Sequence, residues 1–198
     1  MKNRILTFAG VCLAVGLALL VSGCLPFPLG DPDKSQIDPK LSGYWLRSSD
    51  DERELIVLYP FDQHAYVLQD ASAKKQDDKW QPQGPPQIYK AWLTNVKGER
   101  FITLELLAQR LPINPDDKKY YPVLHVSGTS DVIEVRMVSD TFEPMKTVKS
   151  SADVEAVIAR DLNNPDLYGN GDAAKFRRLD VNADKDLIDS VLANNSSK

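Results

Sequence analysis

The sequence has 198 residues, of which 42% are hydrophobic and 26% charged, and its 24 basic and 28 acidic residues give a net charge of −4. Nucleic-acid binding needs clustered cations that displace counterions, and no such run is present, so we expect no nucleic-acid partner. The two cysteines, Cys12 and Cys24, are too few for a disulfide framework, while the length suffices for one domain with its own core.

The first residues have the layout of a secretory signal. Lys2 and Arg4 precede an apolar run over residues 5–21 that contains no charged residue. A basic region, an apolar core and small residues in this order are typical of a signal peptide that is cleaved off. A retained membrane anchor is the alternative, because the run is near the lower limit for a spanning helix, about 17 residues.

The residues that end this run, Val21-Ser22-Gly23-Cys24, resemble the lipobox of bacterial lipoprotein precursors. The resemblance implies removal of residues 1–23, a diacylglyceryl group on the Cys24 thiol and an amino group open to N-acylation. Two or three acyl chains hold a protein on a bilayer where one would not. We therefore expect a protein of the bacterial envelope whose partner is the membrane, to which it is attached through Cys24. Because Leu25 rather than Asp follows the cysteine, the resemblance implies the periplasmic face of the outer membrane in a Gram-negative cell.

Cleavage leaves an acidic mature chain that begins with a proline-rich segment. Loss of Lys2 and Arg4 leaves 22 basic and 28 acidic residues, a net charge of −6, and Cys12 is lost as well. Residues 24–40 contain four prolines and show no obvious hydrophobic periodicity, which predicts a flexible tether behind the lipidated cysteine. At about 3.5 Å per residue, such a tether reaches at most about 50 Å.

A single β-rich domain is predicted over residues 41–192. In one typical segment, Ile133, Val135 and Met137 alternate with charged residues, a period of two that buries one face of a strand. Short turns join most of the predicted strands, and this favours a mainly β fold with an antiparallel meander. The seven strands predicted before residue 140 cover residues 43–47, 55–59, 64–69, 88–96, 101–107, 121–127 and 132–138.

One or two helices are predicted near the C-terminus. Ser150 or Ser151 caps a helix that ends near residue 163, and a closing strand follows at residues 176–179. A short helix over residues 183–192 precedes a polar tail, residues 193–198, which we expect to be disordered.

The first predicted strand carries Gly43-Tyr44-Trp45, which resembles the Gly-x-Trp of the first lipocalin strand. The resemblance implies an eight-stranded barrel whose tryptophan plugs the closed end and whose interior holds one small ligand. The second lipocalin motif, Thr-Asp-Tyr, is absent. A related half-closed barrel or a β-sandwich is the alternative fold.

Catalytic and metal-binding patterns are weak. His64 and His125 have no carboxylates at ligand spacing, and we interpret both as structural. The spacing of Asp180, Asn182 and Asp184 is similar to that of a calcium loop, but Lys185 and Val191 occupy positions that need glycine and glutamate. We therefore predict that Asn182 caps the last helix, and we expect no metal, no cofactor beyond the acyl groups on Cys24, and no enzymatic activity.

Two functions remain open. The favoured one is an accessory or structural lipoprotein that docks another envelope protein through a strand edge or through residues 69–87, predicted as a long loop around Trp80. The alternative is a lipocalin-like carrier of a small apolar ligand. The candidate ligand or partner contacts are the aromatic residues Trp45, Tyr66, Trp80, Tyr89, Trp92 and Phe101.

Overall fold

A computed structural model describes residues 24–108, 119–169 and 171–192. The signal segment, including Val21-Ser22-Gly23, and the predicted tail at 193–198 lie outside the described residues. The strands are β1 (Cys24–Leu25), β2 (Gly43–Ser48), β3 (Glu52–Pro60), β4 (Tyr66–Gln76), β5 (Lys79–Pro82), β6 (Gln87–Val96), β7 (Glu99–Ala108), β8 (Tyr121–Gly128), β9 (Val132–Met137) and β10 (Ala174–Leu179). The α-helices are α1 (Ser151–Asp161) and α2 (Lys185–Leu192).

Eight of the strands form a closed antiparallel barrel. From β2 to β10 each barrel strand pairs with the next. Strand β5 pairs with β4 and is not part of the barrel. The sheet closes because β10 pairs with both β9 and β2. The mainly β prediction and the antiparallel meander are confirmed. The closed barrel is consistent with the predicted lipocalin-like barrel, and the alternative of a sandwich is wrong.

The strand period of two separates the barrel interior from an outer apolar layer. In β6, Tyr89 and Ala91 belong to the interior cluster, whereas Trp92 lies on the opposite face. Both faces of β6–β8 are covered, since α1 and the N-terminal segment lie against the outside. The buried interior residues are Leu41, Trp45, Ile56, Leu58, Tyr66, Leu68, Tyr89, Ala91, Ile102, Leu104, Val126, Ile133 and Phe176.

Residues 35–41 cover one end of the barrel, which we call the closed end. They contact the β3–β4 turn, where the Ile37 amide donates to the Gln63 carbonyl at 3.4 Å. The Ser35 hydroxyl donates to the Leu93 carbonyl of β6 at 2.8 Å, and the Tyr66 hydroxyl of β4 donates to the Asp38 carbonyl at 2.9 Å. The opposite end carries the β2–β3 turn and the starts of β8 and β10, and we call it the open end because residues 35–41 do not cross it. The direction of each strand therefore shows how close each of its residues lies to either end of the barrel.

The N-terminal segment differs from the predicted flexible tether. Leu25 and Leu29 are completely buried, and Phe27 packs against the same outer cluster. The Leu29 carbonyl accepts hydrogen bonds from Trp92 Nε1 and Thr103 Oγ1, each at 2.9 Å. Leucine and phenylalanine at positions 25, 27 and 29 do have a period of two, and the intervening prolines obscured it.

The predicted loop at 69–87 is also wrong over most of its length. Strand β4 continues to Gln76, and β5 returns antiparallel to it through a turn at Asp77 and Asp78, whose φ angles are 47° and 61°. Aspartate tolerates this left-handed region better than most residues, which permits a tight hairpin. The polar composition reflects an exposed hairpin, not irregular chain.

The two helices follow the prediction with one correction. Ser150 accepts a hydrogen bond from the Asp153 amide at 3.2 Å, so it caps α1, which lies on the outside of the barrel. Helix α2 begins at Lys185, and therefore Asp184, not Asn182, precedes its first turn. The Asp184 carboxylate contacts Arg177 at 3.3 Å and accepts from the Asp180 amide at 2.9 Å.

Candidate functional site

Cys24 lies at the open end of the barrel. It pairs with Pro122 at the start of β8, and Leu25 pairs with Tyr121. Residues directly opposite each other in a sheet point to the same face, and Pro122 is two positions from Leu124, which packs against the interior cluster. The Cys24 side chain therefore lies on the interior face of the open rim, where it is half-buried.

The surroundings of Cys24 disfavour its thiolate form. Burial raises the pKa of the Cys24 thiol, and the negative charge of Asp140 raises it further. Activated cysteines instead have a lowered pKa, so this environment does not favour a thiolate nucleophile. Within residues 24–108, 119–169 and 171–192, no three His, Cys, Asp or Glu side chains lie close enough together to hold a metal ion.

Three of the predicted aromatic contacts share the barrel interior. Trp45 and Tyr66 are completely buried near the closed end, and Tyr89 is 7% exposed toward the open end. The Trp45 indole donates to the Leu41 carbonyl at 2.8 Å, and the Tyr89 hydroxyl donates to Gln87 at 2.5 Å. These side chains fill interior space.

Two others, Trp92 and Phe101, lie outside the barrel wall. Trp92 donates to the Leu29 carbonyl and meets Tyr121 edge to face, with ring centroids 6.4 Å apart. Phe101 is completely buried and stacks on His125 at 5.0 Å. The structure thus does not bring the proposed lining residues together into one pocket.

Trp80 is held on the barrel surface. The Arg53 guanidinium lies over the Trp80 ring, 3.9 Å from its centroid, and also donates to Ser190 of α2 at 2.7 Å. Trp80 packs against the third apolar cluster, which α2 shares with β3 and β4. This arrangement matches the core-filling interpretation of Trp80 better than a lid or a free anchor.

Sequence reasoning missed three charged residues on the interior face of the barrel near its open end. Arg47 and Glu54 are directly opposite each other on β2 and β3, with a nitrogen–oxygen distance of 2.6 Å, and Asp70 on β4 shares their face. Burial raises the pKa of Asp70 to about 7; Glu54 adds to the rise and Arg47 opposes it. The signal was available, because Asp70 continues the inward series of Tyr66 and Leu68 at a period of two.

The raised pKa of Asp70 predicts that the protein becomes less stable as the pH rises. The pKa of Asp70 is about 7 in the folded protein and about 3.9 in an unfolded chain, so the folded state binds more protons between those values. The free energy of unfolding should therefore fall from about pH 4 to pH 7. Asp70→Asn should remove this fall and be more stable than wild type at pH 8, as measured by urea denaturation. Asp50→Asn in the exposed β2–β3 turn is the control, and identical profiles for wild type and Asp70→Asn would contradict the prediction.

Both histidines have contacts within the fold. His64, expected at the start of a strand, lies in the turn before β4, and its Nδ1 donates to the Ser35 carbonyl at 2.6 Å. His125 Nε2 is 2.9 Å from the Glu99 carboxylate, and its ring lies between Phe101 and Tyr168. These contacts hold connecting segments against the barrel, which agrees with the interpretation of both histidines as structural.

A second feature that sequence reasoning missed is the set of contacts that Arg178 makes at the closed end. The Arg178 guanidinium lies 4.3 Å from the Trp45 ring centroid and donates to the carbonyls of Ser130 at 2.6 Å, Ser42 at 2.7 Å and Lys40. Gly43 has a φ of 128°, and a Cβ there would lie 2.8 Å from Arg178 Nη1. The glycine and tryptophan of Gly43-Tyr44-Trp45 thus both serve the contact with Arg178.

A surface depression lies near the closed end. It has a volume of about 420 Å³ and lies between the N-terminal segment and β6, lined in part by Lys34, Gln36, Asn95 and Arg100. Arg100 is already paired with Asp38 at 3.1 Å. The depression is open to solvent, unlike the enclosed pockets that bind small ligands.

Comparison with known proteins finds no matching family model, no matching curated protein and no matching solved structure. Neither helix in the described part of the chain is long and apolar enough to cross a bilayer. The candidate site consists of three parts: the open rim with Cys24, the filled and partly charged interior, and the closed end, where Arg178 makes its contacts.

Proposed function

We propose that the protein is a lipid-anchored component of the bacterial envelope whose barrel is a non-catalytic docking or structural domain. The observation that carries this proposal is the position of Cys24, the last residue of the lipobox-like motif, half-buried at the rim of the folded barrel where β1 begins.

The interior of the barrel supports a docking or structural role over transport of an apolar ligand. Trp45, Tyr66 and Phe176 occupy the interior and are at most 2% exposed. Toward the open end the interior face carries Arg47, Glu54 and Asp70. An apolar ligand entering there would have to desolvate charged groups, which costs free energy unless they are paired.

The first experiment is the mass of the native protein from bacterial membranes. We expect a chain that begins at Cys24 and carries a diacylglyceryl group, since two or more acyl chains are needed for stable anchoring. Cys24→Ala should carry no acyl mass and should leave the membrane fraction or retain residues 1–23. Cys12→Ala is the matched control and should be lipidated normally.

The same preparation separates the two functional classes. Under native conditions, a discrete larger complex would support docking, whereas a small-molecule adduct beside the acyl mass would favour the carrier. A wild-type chain that retains residues 1–23 and has no acyl mass would contradict the lipoprotein assignment on which both depend.

A further inference from the structure

Residues 25–35 are fastened to the outside of the barrel, and we call them the strap. The side chains of Leu25 and Leu29 are completely buried in the outer cluster. At the end of the strap, the Ser35 hydroxyl donates to the Leu93 carbonyl at 2.8 Å and accepts from the Leu93 amide at 3.0 Å. The strap is thus held both by apolar packing and by hydrogen bonds to β6.

The middle of the strap lies directly on β6 and β7. The Leu29 carbonyl accepts hydrogen bonds from Trp92 Nε1 and Thr103 Oγ1, each at 2.9 Å. The next residue, Gly30, has a φ of 74°, and a Cβ there would clash with Thr94 Oγ1. Glycine permits this close approach in the left-handed region, so a larger residue at position 30 should push the strap off the barrel.

The docked strap fixes the position of Cys24. This residue is half-buried opposite Pro122 on β8, and it adjoins the completely buried Leu25. Consecutive Cα atoms are about 3.8 Å apart, so Cys24 cannot move away from the barrel while Leu25 stays in the core. An enzyme that cleaves between Gly23 and Cys24 needs the chain on both sides of this bond, and cleavage within packed chain requires local opening. The docked strap is therefore closed to such an enzyme.

The chemistry of the thiol also favours a released strap. In the lipidation that the lipobox implies, the Cys24 sulfur forms a carbon–sulfur bond to the glyceryl carbon of a phospholipid. The phosphate-bearing headgroup leaves with the bonding electron pair and takes up the thiol proton, and water then hydrolyses the Gly23–Cys24 peptide bond. The thiolate is the reactive form of cysteine, and in the docked state burial, followed by Asp140, raises the pKa of the Cys24 thiol. Release from the rim removes that burial.

Closure of the barrel does not depend on the strap. The barrel strands run from β2 to β10, and the buried residues of the interior cluster begin at Leu41. Beyond the strap the chain is held separately, since the Asp38 carbonyl accepts from the Tyr66 hydroxyl and the Asp38 carboxylate pairs with Arg100 at 3.1 Å. The strap can therefore leave while the barrel and its closed end stay in place. Once released, it extends at most about 40 Å.

We propose that the strap has a released and a docked state, that lipidation and cleavage at Cys24 take place in the released state, and that docking on β6 and β7 follows. This order rests on the proposed lipidation of Cys24 and adds to it a conformational step that processing must await. The same residues thus act first as a tether that presents Cys24 to the enzymes and afterwards as part of the fold.

The test measures processing of the full-length precursor, which is folded before bacterial inner-membrane vesicles are added as the source of enzymes and phospholipid. Mass spectrometry follows the appearance of acylated chains that begin at Cys24, and circular dichroism confirms that each precursor is folded at the start. Leu29→Ala weakens docking by removing a buried side chain, and Gly30→Ala weakens it through the clash with Thr94. Leu58→Ala in the barrel interior is the matched control, because it destabilises the barrel and leaves the strap unchanged.

We expect Leu29→Ala and Gly30→Ala to be processed at least about tenfold faster than wild type, since the rate follows the fraction of molecules whose strap is released. Leu58→Ala should be processed at the wild-type rate. A Gly/Ser linker of about 12 residues between Cys24 and Leu25, with a span of about 20 Å, should allow fast processing while the strap stays docked. Adding Leu29→Ala to the linker variant should then have no further effect.

Equal rates for wild type, Leu29→Ala and Gly30→Ala would overturn the two-state strap and leave lipidation intact. Equal acceleration by Leu58→Ala would also overturn it, because processing would then require unfolding of the whole barrel. A precursor that acquires no acyl mass, with or without the linker, would overturn the proposed function, and this inference with it.

Discussion

Leu25→Ala and Leu29→Ala are each expected to lower the free energy of unfolding by about 2–5 kcal/mol, the usual cost of truncating a buried leucine. Both side chains are completely buried in the outer cluster with Val123 and Ile158. The loss combines the lost transfer free energy with the cavity that remains beneath α1. Urea denaturation of the unlipidated mature chain would measure it.

Leu107→Ala is the matched control for these two variants. Leu107 is 51% exposed at the end of β7, so its truncation should change the free energy of unfolding by at most about 0.5 kcal/mol. If Leu25→Ala and Leu29→Ala behaved like this control, the N-terminal segment would be the flexible tether that its prolines first indicated.

Arg178→Ala should destabilise the protein by about 2–4 kcal/mol. The variant removes a cation–π contact with Trp45 and charge-assisted hydrogen bonds to three carbonyls at the closed end. Arg178→Lys keeps the charge but not the planar fork, and we expect it to recover only part of the loss. Thermal and urea unfolding would provide the comparison.

The adjacent Arg177 provides a control in the same strand. Its side chain points outward to Asp184 at 3.3 Å, and exposed ion pairs contribute about 0–1 kcal/mol. Arg177→Ala should therefore be nearly neutral. Equal losses for the two arginines would show that Arg178 acts through general charge and not through its contact with Trp45.

The strands and helices were largely predictable, because alternation and capping are local signals. The seven predicted strands, the cap at Ser150 and the strand at β10 all correspond to elements of the structure. The hairpin of β4 and β5 was missed because charged and amide side chains make up most of it, and so no apolar period marks it. Its turn residues, Asp77 and Asp78, were the available signal.

The assignment of aromatic residues to one pocket failed for a different reason. In β6 the period of two already separates Tyr89 from Trp92. However, both faces of this strand are buried, one by the barrel interior and the other by the N-terminal segment. Hydrophobicity alone therefore does not reveal which face is inside, and only the closure of the sheet makes that distinction.

The sequence by itself determined the β-rich architecture, the two helices and the lipobox-like motif that ends at Cys24, since each depends on residues close together in the chain. Only the tertiary structure decided that residues 25–29 are part of the folded domain, that Arg178 meets Trp45 and that Arg47, Glu54 and Asp70 share one end of the barrel. These contacts join residues far apart in the sequence, and they follow from strand register and barrel closure, which no local pattern encodes.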